Sequence, residues 1–493
     1  MLYIRMFIML AVGLYTSRIV LLALGATDYG IYNIVGGVVV LFSFLSNSLV
    51  SATRRFLNFS LGKKDYEAVQ KTFCMSMNIY FILSLIVLVL AETIGLWFVE
   101  VKLNIPVERS FAAFWVYQFT ILTFILNLLR IPYNASITAY ERMDFYAYVS
   151  LVEALLKLLV VYFLYTTSCD KLIMYAFLYT LISFVMFGVY KFYCNRKFKT
   201  SLYIIIWDKE IFRKMFSFSG WSLLGSAANI SAQQGLSILI NMFHGVTANA
   251  AVGIANQVSS NIYQFSGNFQ TAFHPQIVKS YAAKEMGAFL WIIFKSSKFS
   301  YYLMFFLVLP IWMNTQTLFE IWLKEVPQYS VIFCQLILVV SLIECLATPL
   351  WMSVEATGEI KTYQILMASC ILLNFPLVYL FFKLGYPVYT VWIIRIIVHI
   401  ITFVTRIIYM SFKLEFPVRL YLKKVILPIS IVTLVSVPLP LFLTIYLNEG
   451  FIKFLSTILI CLLLIPISIY WVGMEKVERQ HIKSTIYNRI RRG

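Results

Sequence analysis

Charge is scarce in this sequence: 13% of its 493 residues are Asp, Glu, Lys or Arg, while 61% are hydrophobic. A soluble domain carries about 25% charged and about 45–50% apolar residues, so composition excludes a soluble enzyme or binding module. Histidine is rarer still, dispersed at His244, His274, His399 and His481. The seven cysteines (Cys74, Cys169, Cys194, Cys334, Cys345, Cys370 and Cys461) stand singly, with no spacing that suits a metal or a disulfide framework. There is no Gly-rich phosphate loop and no Ser, His and Asp arrangement of usable spacing. An ATP-driven pump and an enzyme are set aside, and no cofactor or metal is expected. Acids are the scarcer charge, 22 against 40 Lys and Arg. In a soluble domain that excess would point to nucleic acid. Here the cations lie in short connectors between apolar runs, so no nucleic-acid partner is expected and they read as topology signals.

Long apolar runs are abundant. A hydrocarbon core of ~30 Å takes about twenty helical residues. Runs of that length predict an all-α polytopic membrane protein of about fourteen spans, near 3–24, 30–53, 72–99, 110–134, 145–166, 172–192, 215–241, 247–273, 288–312, 329–353, 362–383, 387–410, 425–446 and 452–473. The opening run continues from Arg5 past Arg18 to Leu24 without a convincing cleavage site, and reads as the first span rather than a signal peptide. Cations cluster in alternate connectors: Arg54, Arg55, Lys63, Lys64 and Lys71, then Lys191 through Lys214, then Lys413 through Lys424, and finally the tail. The intervening connectors hold isolated ones such as Lys102, Arg109 and Lys171. The excess is roughly fourfold and places both termini in the cytoplasm.

The longest inner connector, 193–214, mixes Trp207, Ile211 and Phe212 with Lys and Asp, and is expected to lie along the interface as an amphipathic helix. It separates a six-helix lobe, 1–192, from a second, 215–412. Two extra spans over 413–473 and a basic cytoplasmic tail over 474–493 follow. The two lobes look duplicated. A constant shift of 220 residues aligns Ser17–Ala68 with the seventh and eighth spans without a gap, with identities that include Gly25/Gly245, Ala52/Ala272 and Lys64/Lys284. Six spans per copy makes the repeats parallel, and transporters built from such repeats hold substrate where the copies meet.

Polar residues inside spans face a bundle interior or water. Ser222, Ser226, Asn229, Gln233, Ser237 and Asn241 recur every three or four positions in the seventh span. Gln257, Asn261, Gln264 and Asn268 do so in the eighth, and Ser43, Asn47, Ser51 and Arg54 in the second. Hydrogen bonding between helices would explain one or two such residues. Three stripes, two of them in spans related by the repeat, point to a hydrated cavity. Deeper charges are Arg18, Arg130, Lys157 and Arg395 against Glu92, Glu153 and Glu344. A cation at mid-membrane costs ~2.5–3.5 kcal/mol, and a guanidinium fork suits phosphate or pyrophosphate. Arg18, Arg54, Arg55, Arg130 and Arg395 are therefore substrate candidates beside the amides. Arg54 and Arg55 read equally as topology anchors, and Arg130, next to Pro132, as a snorkelling side chain. Glu153 and Lys157, four apart, either neutralise each other or take part in ion coupling.

The runs SRIVLLALGATDYGIYNIVGGVV (Ser17 to Val39), SATRRFLNFSLGKKD (Ser51 to Asp65) and AFHPQIVKSYAAKE (Ala272 to Glu285) resemble the Wzx-type polysaccharide flippases of the multidrug/oligosaccharidyl-lipid/polysaccharide exporter superfamily. The resemblance covers essentially the whole chain. It implies a two-lobed bundle in the bacterial inner membrane, carrying an undecaprenyl-pyrophosphate-linked oligosaccharide between leaflets, powered by an ion gradient. It also implies the lipid-linked substrate, polysaccharide polymerase and glycosyltransferases as partners. Related lipid II flippases use arginines in the first two spans, and Arg18 and Arg54 or Arg55 occupy comparable places here. A lipid II flippase and a cation-drug antiporter of the same superfamily remain alternatives. The antiporter would need an acidic, aromatic cavity where cations and amides dominate. A polysaccharide polymerase would need a large outer loop that no connector supplies.

Overall fold

The computed structural model describes residues 43–102, 105–164, 170–323, 326–446 and 450–480, with scattered positions between 12 and 39. Every regular element among them is helical. Arg18, most of the first span and residues 481–493 lie outside the described residues, as does the side chain of Asn47. In hydrocarbon a backbone must satisfy its own hydrogen bonds, which helices do within one segment. Among the described residues, three helix N-termini are closed by capping carboxylates. Asp65 accepts from Ala68 N, Asp170 from Leu172 N and Ile173 N, and Asp208 from Glu210 N and Ile211 N.

Among the described residues, ten helices are long and apolar enough to cross a membrane: Tyr66–Val101, Val107–Ala139, Met143–Phe163, Lys171–Lys197, Met286–Met313, Ser330–Thr357, Lys361–Lys383, Thr390–Leu414, Val418–Thr444 and Ile452–Gly473. Each matches an expected span. The helical run Lys209–Ala282 has 74 residues and breaks at Gly245 (φ 80, ψ −176). Unbroken it would measure about 110 Å, so it supplies two crossings. Its amides keep it out of the apolar set. With the two N-terminal spans, the architecture is the expected one of about fourteen helices.

The duplication is written into the backbone. Gly25 and Gly245 share a positive φ (79 and 80), as do Lys64 and Lys284 (59 and 61), each pair 220 residues apart. L-residues rarely adopt that region, so a matched pair of left-handed lysines is independent evidence for the repeat. The next helices begin at Tyr66 and Met286, then at Ser110 and Ser330, at the same offset. Later starts, Met143 with Lys361 and Lys171 with Thr390, slip by one or two residues.

The chain divides into two compact units, 1–223 with 278–284, and 224–277 with 285–493. The division falls inside the helix starting at Lys209, later than the connector expected as the boundary. The first turns of that helix pack on the first unit: Met215 joins a buried cluster with Leu49, Met75, Tyr80 and Leu128, and Phe218 meets Phe56 edge-on. The connector differs from the amphipathic helix expected. After a short turn at Lys199–Ser201, residues 202–207 carry no regular structure and run to Asp208. Three consecutive isoleucines, Ile204–Ile206, are stiff at χ1 and favour extended backbone.

Close packing in the first unit depends on Gly62. A Cβ there would stand 2.6 Å from the backbone of Lys279, whose ammonium pairs with Glu141 at 2.7 Å. In the second unit the extra C-terminal spans dock on Met286–Met313 through Tyr301–Thr433 (2.8 Å), Tyr302 donating to Gly473 O (3.0 Å) and the buried pair Lys298–Glu478 (2.7 Å).

Candidate functional site

In the first unit the helix Ser43–Gly62 carries the second-span stripe to its basic end. Arg55 is buried, its guanidinium 4.6 and 4.5 Å from the ring centroids of Phe56 and Phe59. That cation–π setting is a structural anchorage. Arg54 is half-buried beside Thr53 and Tyr80. Among the described residues it makes no ion pair, and its buried Nε meets no hydrogen-bond acceptor. A guanidinium in this state is incompletely satisfied. Arg130 is committed elsewhere: its Nη1 meets Glu153 Oε2 at 2.9 Å, while Lys157 Nζ takes Oε1 at 2.8 Å. Tyr190 and Tyr179 face the two cations. With both oxygens of Glu153 engaged by cations on two helices, the trio is a clamp. A proton or a coupling ion would have to displace two bonds to enter it.

In the second unit the amide stripes lie on exposed surface. Asn229, Gln233 and Asn241 are exposed, although Asn229 returns one amide hydrogen to Gly225 O at 2.9 Å. Gln257, Asn261 and Gln264 are exposed and Asn268 half-buried. Half a turn away, the opposite face of the same helix is tied to Ser330–Thr357 by Ser259–Ser341 (2.8 Å), Tyr263–Thr348 (3.0 Å) and Gln270 donating to Cys345 O (2.8 Å). The buried face thus makes the inter-helix hydrogen bonds, and the amide face is left over. Exposed carboxamides are incompatible with lipid tails and call for water or a polar ligand. Each offers two donors and an acceptor oxygen, the complement of a polyol.

Two carboxylate–histidine pairs were not legible in the sequence. His399 Nε2 lies 3.6 Å from Glu344 Oε1, with Arg395 and Arg406 as charged neighbours. Arg395 stacks over Trp392 one turn from His399, with Glu344 as its charged neighbour. His274 Nε2 meets Glu355 Oε2 at 3.2 Å, both side chains buried. His274 stands 220 residues after Arg54, so the repeat puts them in corresponding places. The second unit supplies a carboxylate at its position, whereas Arg54 has no acidic partner among the described residues. Pairings between helices far apart in sequence leave no local signal. The repeat, carried through to the histidine, was the one clue available. Among the described residues no group of His, Cys, Asp and Glu could hold a metal ion.

No protein-family model and no curated protein matches this sequence. Solved structures do match. An outward-facing multidrug resistance MATE family transporter of the MOP superfamily aligns with a TM-score of 0.72 at 13% identity, over 84% of this chain and 94% of that one. A MOP superfamily transporter from Pyrococcus furiosus, whose reverse polarity of binding pocket suggests a different function, aligns at 0.68 and 12% identity over 84% and 94%. MATE in its straight conformation gives 0.68 and 14% over 84% and 95%. At such identities the likeness is one of fold. The chain is a multi-pass helical membrane protein with the MATE-like transporter fold. Its own substrate has to be argued from its side chains.

Proposed function

We propose that the chain is a flippase that moves an undecaprenyl-pyrophosphate-linked oligosaccharide, the repeat unit of an O-antigen or capsule, from the inner to the outer leaflet of a bacterial cytoplasmic membrane by ion-coupled alternating access, with both termini in the cytoplasm. The carrying observation is Arg54, half-buried and without an ion pair among the described residues, at the end of a polar helix face. Pyrophosphate asks for such a donor fork. The sugar asks for neutral hydrogen-bonding groups, which Gln257, Asn261, Gln264, Gln233 and Asn229 supply. Arg18 is assigned to the same phosphate on sequence grounds. Polymerase and glycosyltransferases are the expected partners in the cell.

A second reading, a cation-coupled drug antiporter, is favoured by the multidrug resistance transporter among the structural neighbours and by Glu344, a carboxylate about one third exposed. One experiment separates them. The chain, Arg54→Lys and Arg54→Ala are expressed at matched levels in three strains: one lacking its glycan flippase, one lacking its lipid II flippase and one hypersensitive to cationic drugs. The flippase reading expects surface glycan from the wild type only, with export at least tenfold lower in both variants, because an ammonium cannot reproduce the fork. Drug resistance without glycan export would establish the antiporter, and rescue of the second strain alone would move the substrate to lipid II.

A further inference from the structure

The connector between Lys197 and Lys209 is a preformed surface whose chemistry is unexplained by transport. Between positions 191 and 214 the sequence has seven cations (Lys191, Arg196, Lys197, Lys199, Lys209, Arg213 and Lys214) against Asp208 and Glu210. Both acids are occupied: Asp208 caps the following helix and Glu210 pairs with Lys214. The inward side of the strap is pinned. Asn78 Nδ2 donates to Ile206 O at 2.7 Å, Tyr203 OH donates to Asn78 Oδ1 at 2.7 Å, and Phe198 stacks on Tyr140 at 4.2 Å. Its outward side is left bare. Ile205 is 85% exposed and Trp207 57%, and a run of ring contacts continues from Trp207 through Phe212 to Phe216, itself 64% exposed. This surface begins where Lys171–Lys197, a helix long and apolar enough to cross a membrane, ends.

We propose that this strap is a binding surface for anionic phospholipid, with Ile205, Trp207 and Phe216 inserted among the upper acyl carbons and Lys197, Lys199, Lys209 and Arg213 on the headgroup phosphates. Aromatic side chains settle at the membrane interface. Clusters of four to eight cations beside a membrane helix select anionic lipid, each contributing about a fivefold preference before screening. A free phosphate would satisfy the cations and leave the apolar row in water, so lipid is the occupant that answers both halves. The second repeat has no counterpart: after Thr390–Leu414 only residues 415–417 intervene before the next helix. The surface therefore belongs to the first unit alone.

The test uses the full chain in nanodiscs of phosphatidylcholine with one quarter phosphatidylglycerol. Native mass spectrometry after release reads which lipid stays bound, and a polarity-sensitive dye on Ile205→Cys, against the equally treated parent, reads insertion. The expected result is retained phosphatidylglycerol in preference to phosphatidylcholine, falling at least tenfold when Lys197, Lys199, Lys209 and Arg213 are all changed to Gln. The dye emission should be blue-shifted and quenched by headgroup-level spin labels. Salt titration of the wild type provides the same reading without any substitution, the preference falling as ionic strength rises. A preference unchanged by salt or by the four substitutions would overturn the proposal, as would a fully hydrated dye at position 205.

Discussion

Glu153→Gln is the substitution that most directly weighs a structural clamp against the ion-coupling role. It removes two ion pairs at once, of 2.9 and 2.8 Å, and strands Arg130 and Lys157 on neighbouring helices. Breaking a fully buried pair costs about 3–5 kcal/mol, an exposed one about 0–1. The three side chains are 17–28% exposed, nearer the buried limit, which suggests about 2–3 kcal/mol. For a unit of some 230 residues that corresponds to a fall in Tm of about 5–10 °C. Replacing all three by leucine should recover most of the loss, since an apolar cluster of similar volume often matches a buried ion cluster in stability. Thermal unfolding in nanodiscs reads the stability, and the pH dependence of transport in proteoliposomes reads the coupling. A clamp predicts a lowered Tm with an unchanged pH profile. If Glu153→Gln leaves Tm within about 1 °C of wild type and abolishes the pH dependence, the clamp is refuted and Glu153 is the coupling group.

Cysteines placed at Gln233, Gln257 and Gln264 should react with membrane-impermeant thiol reagents faster than cysteines at Leu88 or Leu372, and equal protection would mean that the amide face is not wetted. Reporter fusions after Gly493 and within 193–214 should both report cytoplasm, and an extracytoplasmic signal from either would break the span count. His274→Ala strips Glu355 of its partner and should cost about 1–3 kcal/mol. Adding Glu355→Gln should restore more than half of that, and no recovery would show that the histidine acts through packing. Gly62→Leu, driven into the backbone at Lys279, should cost about 1–3 kcal/mol by overpacking, measured as thermal stability.

The spans were legible because about twenty apolar residues have few alternatives in a long chain, and all ten apolar helices fall where hydropathy puts them. The turn at Gly245 and the lysine at 284 were legible through their partners at 25 and 64. Helical spacing put Gln257, Asn261, Gln264 and Asn268 on one face but did not say whether that face was covered; Ser259, Tyr263 and Gln270, taking up the opposite side, decide it. Spacing also linked Glu153 to Lys157, four residues on, and missed Arg130, which reaches the same carboxylate from another helix. The strap departs from the helix expected because its aromatic and basic pattern suits a helix, while its isoleucines and the anchoring Asn78 do not.

The late segment 278–284 belongs to the first unit, although the rest of that unit ends at Leu223. A ribosome has to add about sixty more residues before Lys279 can reach Gly62 and Glu141. At 5–20 residues per second this takes about 3–12 s. Throughout that interval the nascent first lobe holds an open notch at Gly62 and an unmatched carboxylate at Glu141, while two further helices pass into the bilayer. Truncations ending before residue 278 should therefore be recognised as incomplete by membrane quality control, and truncations ending just after residue 284 should survive longer. Completion of the first unit thus waits on seven residues that arrive late.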